Sequence, residues 1–212
     1  MAFDELREDY KGTALRKEEC ASDPKKQFQR WFDQAVEQKV EMANAMTLAT
    51  VDAEGAPQAR IVLLKELDSD GFVFYTNYDS AKGKELQANK RVSLLFYWYA
   101  MHRQIRIDGV VAKVDARTSD EYFATRPRDS NIAAIASAQS EVVESREELL
   151  LQIAAVKERV GSAALTRPEN WGGYRVVPHA LEFWQGQPDR SHDRVKYQLD
   201  TSGAWQRTRL AP

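Results

Sequence analysis

The residues of this chain that could do chemistry are mostly basic, and they come in scattered groups. Arg60-Ile61-Val62-Leu63-Leu64-Lys65 sets a cation at each end of an apolar run. A period of two puts Arg60, Val62 and Leu64 on one face and Ile61, Leu63 and Lys65 on the other, as in any buried strand with solvated ends. Phe74-Tyr75-Thr76-Asn77 followed by Ser80-Ala81-Lys82 places hydroxyls and an amine where a strand gives way to a helix. Free N–H groups and a helix dipole at such a junction suit a phosphate, although Ser80 could equally cap the helix. Gln104 and Arg106 share a face opposite Ile105 and Ile107, so the amide of Gln104 is available to a heteroaromatic edge or to solvent. Tyr122 to Ser130 gathers Tyr122, Arg126, Arg128 and Ser130 around a helix break. Guanidinium forks bind phosphate oxygens in pairs; an exposed loop with Asp129 paired to an arginine is the plain alternative. Phe183-Trp184-Gln185-Gly186 precedes Arg190-Ser191-His192-Asp193-Arg194. If extended, that stretch aligns two permanent cations, Arg190 and Arg194, with His192, which can titrate near neutrality. His102 and His179 have no such company, and surface or packing roles are expected for them.

The overall charge sharpens this picture. Thirty Lys and Arg against 32 Asp and Glu leave a net charge of −2, so nothing draws the whole chain to nucleic acid or to an anionic membrane. Any anion site must be local. A phosphomonoester carries about −1.5 to −2 charges at neutral pH, and two of them, or one large anion, would account for the scattered cations. The single cysteine, Cys20, cannot form an internal disulfide, no metal-ligand spacing occurs, and an inert thiol is expected. Met1 to Tyr10 is charged and lacks an apolar signal core. No stretch approaches the roughly 20 apolar residues of a membrane span. A cytoplasmic location is expected.

The elements that must position these groups form one domain. With 212 residues, 43% of them hydrophobic, the chain can bury a core without disulfides or a structural metal. The first fifty residues read as helical, with Asp23-Pro24 as N-cap and first turn. Phe28, Trp31, Phe32, Ala35 and Val36 form an apolar stripe there, with Phe28 and Trp31 as core. Met46–Val51, Ala59–Leu67 and Phe72–Asn77 are strand runs, separated by turn signals at Asp52-Ala53-Glu54-Gly55 and Asp68-Ser69-Asp70-Gly71. A short helix at Ser80–Asn89 and two strands, Arg91–Ala100 and Arg103–Val114, follow. Short antiparallel connections suggest a meander or small barrel. Thr118–Val160 returns to helix, with Ser119 and then Asp129 or Ser130 as caps, and with a longer amphipathic helix at Glu144–Val160. Gly173–Leu210 is extended again, turning at Thr201-Ser202-Gly203. The expected domain covers 1–212: a helical segment 1–44, a barrel core 45–115, a helical segment 116–165 and terminal strands 171–212.

In this order, Arg60 to Lys65, Phe74 to Asn77, Arg91-Val92-Ser93-Leu94-Leu95-Phe96, Arg126 to Ser130, Trp171-Gly172-Gly173, Phe183 to Gly186 and Arg190 to Arg194 resemble the pyridoxine/pyridoxamine 5′-phosphate oxidase family. The resemblance runs from Leu6 to Pro212. It implies a mainly β protein with flanking helices, a Greek-key-like split β-barrel that forms a homodimer and binds FMN in clefts between subunits. By the same resemblance Arg60 and Lys82 would hold the FMN phosphate with Ser140 assisting. The strand from Ile61 through Val62 and Leu63 to Leu64 and Lys65, with Tyr75 and Thr76, would line the flavin, and Gln104, Gln139, Trp184 and Arg194 would complete that site. Lys65, Tyr122, Arg126 and Ser130 would grip the substrate phosphate. Arg190, Ser191 and His192 would lie over the substrate ring, with Arg190 and His192 as catalytic groups, and Arg7 and Tyr10 would belong to an N-terminal segment closing over it. The implied reaction is oxidation of pyridoxine or pyridoxamine 5′-phosphate by O2 to pyridoxal 5′-phosphate, with hydrogen peroxide released, and ammonia from the amine. A split-barrel flavin reductase and a non-catalytic flavin or pyridoxal phosphate carrier are the rival readings. No metal, nucleic acid or membrane partner is implied.

Overall fold

The computed structural model describes residues 9–212; Arg7 lies outside the described residues. Among the described residues nine strands are present: β1 (Ala45–Val51), β2 (Pro57–Leu63), β3 (Glu66–Leu67), β4 (Phe72–Asn77), β5 (Arg91–Trp98), β6 (Arg103–Lys113), β7 (Trp171–Gln185), β8 (Asp193–Leu199) and β9 (Trp205–Leu210). They form one sheet in the order β2-β1-β5-β6-β7-β4-β3, with β8 on β7 and β9 on β8. Every pairing is antiparallel. The expected small barrel holds, as a split barrel, but a plain meander does not. β4 pairs with β7, far along the chain, instead of with β5. Long β7 makes this possible: on the side away from β6, its first half pairs with β4 and its last residues with β8.

The predicted run Ala59–Leu67 breaks at Leu64-Lys65, and the break curls the sheet. Leu64 N donates to Asn44 O, while Lys65 N donates to Val73 O. Within two residues the chain passes from the β1 edge to the β4 edge, so β2 and β3 end the sheet path on opposite sides.

Alternation places Leu48, Phe72, Phe74, Leu94, Phe96, Ile105, Ile107, Phe183 and Val195 wholly inside. Helix α1 (Pro24–Glu37) seals this core with Phe28, whose ring meets Phe72 and Phe96 edge-on at 4.9 and 5.1 Å, and with Trp31, 5.2 Å from Phe183. Val36, expected in the same stripe, is exposed. The helix starts where expected, because Asp23 accepts from Lys25 N and Pro24 needs no N–H partner in the first turn. Asp23→Ala should lower unfolding free energy by about 1 kcal/mol in urea titrations.

Several helical expectations are corrected. Of the described residues before Pro24, only Lys17–Glu19 form a helical turn, of the 3-10 kind. Beyond α1, Lys39 and Met42 adopt left-handed backbone and end the helix. Helix α2 (Ala81–Ala88) is capped by Ser80, whose Oγ accepts from Gly83 N. Asp115 caps α3 (Ala116–Thr125), and buried Ser119 instead accepts from Gly173 N. Helix α4 (Arg128–Ala136) opens directly behind Pro127 with no side-chain cap. Helix α5 (Arg146–Val160) is capped by Ser145, yet none of its residues is buried, so its expected apolar face does not meet the core. No described helix is long and apolar enough to cross a membrane.

Candidate active site

The corner at Leu64-Lys65, the end of β4 and the α3–α4 break face one another across a cavity of about 640 Å³. Lining it are Ile61, Val62, Leu63, Lys65, Tyr75, Thr76, Lys82, Tyr122, Arg126, Ser130 and Gln139, all singled out in the sequence. Three of these are cations, and no described lining residue is acidic. In a chain with a slight acidic excess, that is a marked local field for an anion. Leu64 belongs to the core instead, and exposed Ser140 sits in a left-handed turn beside Gln139 without lining the space.

One wall is aromatic. Tyr75 stacks on Tyr122 at 3.8 Å, and both lie nearly parallel to Trp171. Burial pushes the Tyr75 phenol up to about 12, so it stays protonated. Trp171 also carries the Arg126 guanidinium, 4.5 Å from its ring centre. Arg126 Nη1 donates to Asn131 Oδ1 at 3.0 Å, and Nη2 to Ser130 O at 3.3 Å. Asn131 is itself buried and fixed through Phe123 O. The arginine fork is therefore held from two sides before any ligand arrives.

At the other end Gln139 Oε1 accepts from Thr76 Oγ1 at 3.2 Å and from Lys82 Nζ at 3.1 Å. Arg60 stands just behind the lining. Its Nη2 pairs with Glu85 Oε2 at 2.7 Å, and its Nη1 donates to Thr50 Oγ1. Burial, then the Arg60 charge, push Lys82 below the ordinary lysine value of 10.5, with Glu85 opposing. A folded-state value below the unfolded one means that stability is greatest above 10.5 and is lost as pH falls through the lowered value. Denaturation midpoints of the ligand-free protein should therefore gain from rising pH in that window, and Lys82→Met should remove that gain. A phosphate dianion on Nζ should remove it too.

A second group lies elsewhere on the chain. Gln104, Trp184 and Arg194 are successive cross-strand neighbours on β6, β7 and β8. Buried Glu182 fixes Arg194 through Nε at 2.8 Å and also pairs with Arg106 at 3.2 Å. Tyr10 packs edge-on against Trp184, His192 and His102. His102 thus joins this aromatic group, which its sequence surroundings did not suggest. Gln187 N donates to His192 Nδ1 at 3.1 Å, leaving the imidazole proton on Nε2. Arg190 and His192 do not share a strand face with Arg194, since a 3-10 turn at Pro188–Arg190 precedes β8. Arg190 and Ser191 are exposed on that turn, and the Arg190 side chain bonds to no described residue. None of this second group lines the cavity.

Sequence reasoning passed over Trp171, Asn131 and Glu85 as site residues. Only Trp171 carried a signal, as an aromatic ring ahead of two glycines.

Fold and cavity define a split-barrel protein whose pocket is lined by three cations and no described acid. The profile described as "Pyridoxamine 5′-phosphate oxidase" matches residues 32–159, and that of a "Pyridoxine 5′-phosphate oxidase C-terminal dimerisation region" matches 171–212. The pyridoxine/pyridoxamine 5′-phosphate oxidase of Bordetella pertussis is 50% identical over 212 residues, 100% of both chains. That of Cupriavidus necator is 51% identical over 208 residues, 98% of both. Among solved structures, PhzG from Burkholderia lata, in complex with tetrahydrophenazine-1-carboxylic acid, superposes with a TM-score of 0.90 at 30% identity, covering 97% of this chain and 100% of its own. An FMN-binding protein related to pyridoxamine 5′-phosphate oxidase from Nostoc punctiforme shares the fold, with a TM-score of 0.72 at 15% identity over 87% of this chain and 97% of its own. The chain belongs to the pyridoxamine 5′-phosphate oxidase family and is an oxidoreductase of that type.

Proposed function

We propose that this chain oxidises pyridoxine 5′-phosphate and pyridoxamine 5′-phosphate to pyridoxal 5′-phosphate with bound FMN and O2, releasing hydrogen peroxide, and that it works as a homodimer in the cytoplasm. The observation that carries this reading is the cavity with no described acid, lined by Lys65, Lys82, Arg126 and the stacked Tyr75 and Tyr122, with Arg60 close behind Lys82. Two phosphorylated ligands need two separated cation clusters, and a planar heteroaromatic needs a flat wall. The residues present fit FMN: Lys82, with Arg60 behind it and Ser140 near, would take its phosphate, and Ile61 to Leu63, Tyr75, Thr76 and Gln139 would border its ring. Bound there, the flavin supplies a hydride acceptor that oxygen can reoxidise.

The chain's own groups do the rest. Lys65, Tyr122, Arg126 and Ser130 would bind the substrate phosphate and fix the ring's distance from the flavin, which makes the transfer effectively unimolecular. Gln104, Trp184, Arg190, Ser191, His192 and Arg194 lie outside the cavity of their own chain but within the stretch from β6 to β8, and all but Gln104 fall in the part matching a dimerisation region. In our reading a second copy brings them to the cavity. Arg190 would then orient the pyridine ring and oppose developing negative charge, while His192 presents a proton at Nε2.

Purified protein should be yellow or take up FMN. With either phosphorylated substrate its visible spectrum should bleach without oxygen, and hydrogen peroxide should accumulate with it. A protein that cannot take up FMN would end the proposal. A yellow protein inert to both substrates would be a carrier, and one that passes electrons from a nicotinamide to free flavin a reductase.

A further inference from the structure

Ahead of the 3-10 turn, β7 ends in a rigid platform. Gln185 is buried, accepts from Arg103 Nε at 2.9 Å and donates to Met101 O at 3.0 Å, while Gly186 N donates to His102 O at 2.8 Å. The strap Tyr10–Leu15 lies directly on it. A Cβ on Gly12 would come within 2.2 Å of Gly186 O, and one on Gly186 within 2.7 Å of the Tyr10 ring. Contacts this close leave no room for any side chain at either glycine.

The far end of the strap is tied by one carboxylate. Asp193 is 8% exposed. Its Oδ2 accepts from Leu15 N and from Gln187 Nε2, both at 2.9 Å, and its Oδ1 accepts from Arg209 Nη2 at 2.5 Å. Gln187 in turn orients His192 through its backbone N–H. Strap, catalytic turn and final strand thus meet at a single side chain, two links from the imidazole.

We propose that Asp193 is a positioning residue that latches the Tyr10–Leu15 strap onto the turn bearing Arg190 and His192, so that strap seating and imidazole orientation change together. The proposal rests on the functional reading above, since only there does the turn serve a substrate. Asp193 itself need not touch the ligand. Its three donors arrive from separate segments; an asparagine can keep Leu15 N and Gln187 Nε2 on its one oxygen only as weaker, uncharged bonds, and it turns an amide donor onto Arg209, which displaces the side chain.

Two variants of the full chain, Asp193→Asn and Gly186→Ala, test this. Amide exchange in residues 10–15 of the ligand-free protein should quicken by about tenfold in Asp193→Asn, the loss expected for charge-assisted hydrogen bonds. KM for pyridoxine 5′-phosphate should rise by about tenfold and kcat should fall as the imidazole loses its orientation, while FMN affinity stays within about threefold. Gly186→Ala, which lifts Tyr10 with the Asp193 bonds intact, should reproduce the KM rise even if Asp193→Asn fails to fold. Unchanged strap exchange in Asp193→Asn would overturn the latch. Faster exchange with an unchanged KM in both variants would overturn its link to the substrate site. If the parent protein ignores pyridoxine 5′-phosphate, only the functional reading falls, and exchange still decides whether the latch exists.

Discussion

Arg190→Met is expected to lower kcat/KM for pyridoxine 5′-phosphate by about a hundredfold or more, the usual loss when a preorganised donor to developing charge is removed. FMN affinity and folding stability should barely move. The reasons lie in the 3-10 turn. Asp189 and Arg190 both hold left-handed backbone, at φ of 53° and 57°, which costs roughly 1 kcal/mol per residue for an L side chain. The Arg190 side chain is exposed and bonds to no described residue. A strained residue whose guanidinium bonds to no described residue is free to serve a ligand, as the functional reading requires. Methionine keeps the length and meets the same backbone strain, so urea midpoints should match the parent within about 0.5 kcal/mol. If FMN binding fell as far as turnover, the arginine would have to be reassigned to the flavin phosphate or ring.

That residue also marks where sequence reasoning stops. β-rich runs between turn signals located β1, β4, β5 and β6 closely, and in β1, β5 and β6 alternate residues are buried against the core. The α1 stripe was equally plain, because Phe28 and Trp31 recur at helical spacing. What alternation cannot reveal is partner choice. β7 pairs with β4 over its first half and with β8 over its last residues, and nothing in its residue types announces the change, so a meander looked adequate. Nor could spacing distinguish an extended Arg190–Arg194 from a turn, since left-handed Asp189 and Arg190 are not glycines. The α5 stripe reaches less far than its spacing suggests: the helix packs on α4, and none of its residues is fully buried. For the site, the lining cations were legible as motifs. Their supports, Asn131 under Arg126 and Glu85 against Arg60, were not, because an uncharged amide or a single acid inside a helix looks like any solvated position.

Arg126→Ala should raise KM for pyridoxine 5′-phosphate by about a hundredfold while hardly affecting the reaction with unphosphorylated pyridoxine, so that discrimination between the two collapses. The expected size is that of one bidentate, charge-assisted phosphate contact, roughly 3 kcal/mol. The guanidinium spends one N–H on Asn131 Oδ1 and one on Ser130 O, and sits 4.5 Å from the Trp171 ring centre. Five donors minus two leaves three for a ligand in the cavity it lines. Arg126→Lys should recover part of the binding, since it restores a point charge without a planar fork. Removing the arginine also strands the Oδ1 of Asn131, a buried side chain, so both variants should lose about 1 to 2 kcal/mol of stability. That shared loss is why stability cannot serve as the readout. A purely structural arginine would harm both substrates alike through a loosened α3–α4 break. A phosphate ligand harms only the one with a phosphate. Lys82→Met supplies the mirror image, weakening FMN by about tenfold while leaving the preference for phosphorylated substrate in place. If instead Lys82→Met erased that preference and Arg126→Ala released the flavin, the two ends of the cavity would have to exchange their ligands.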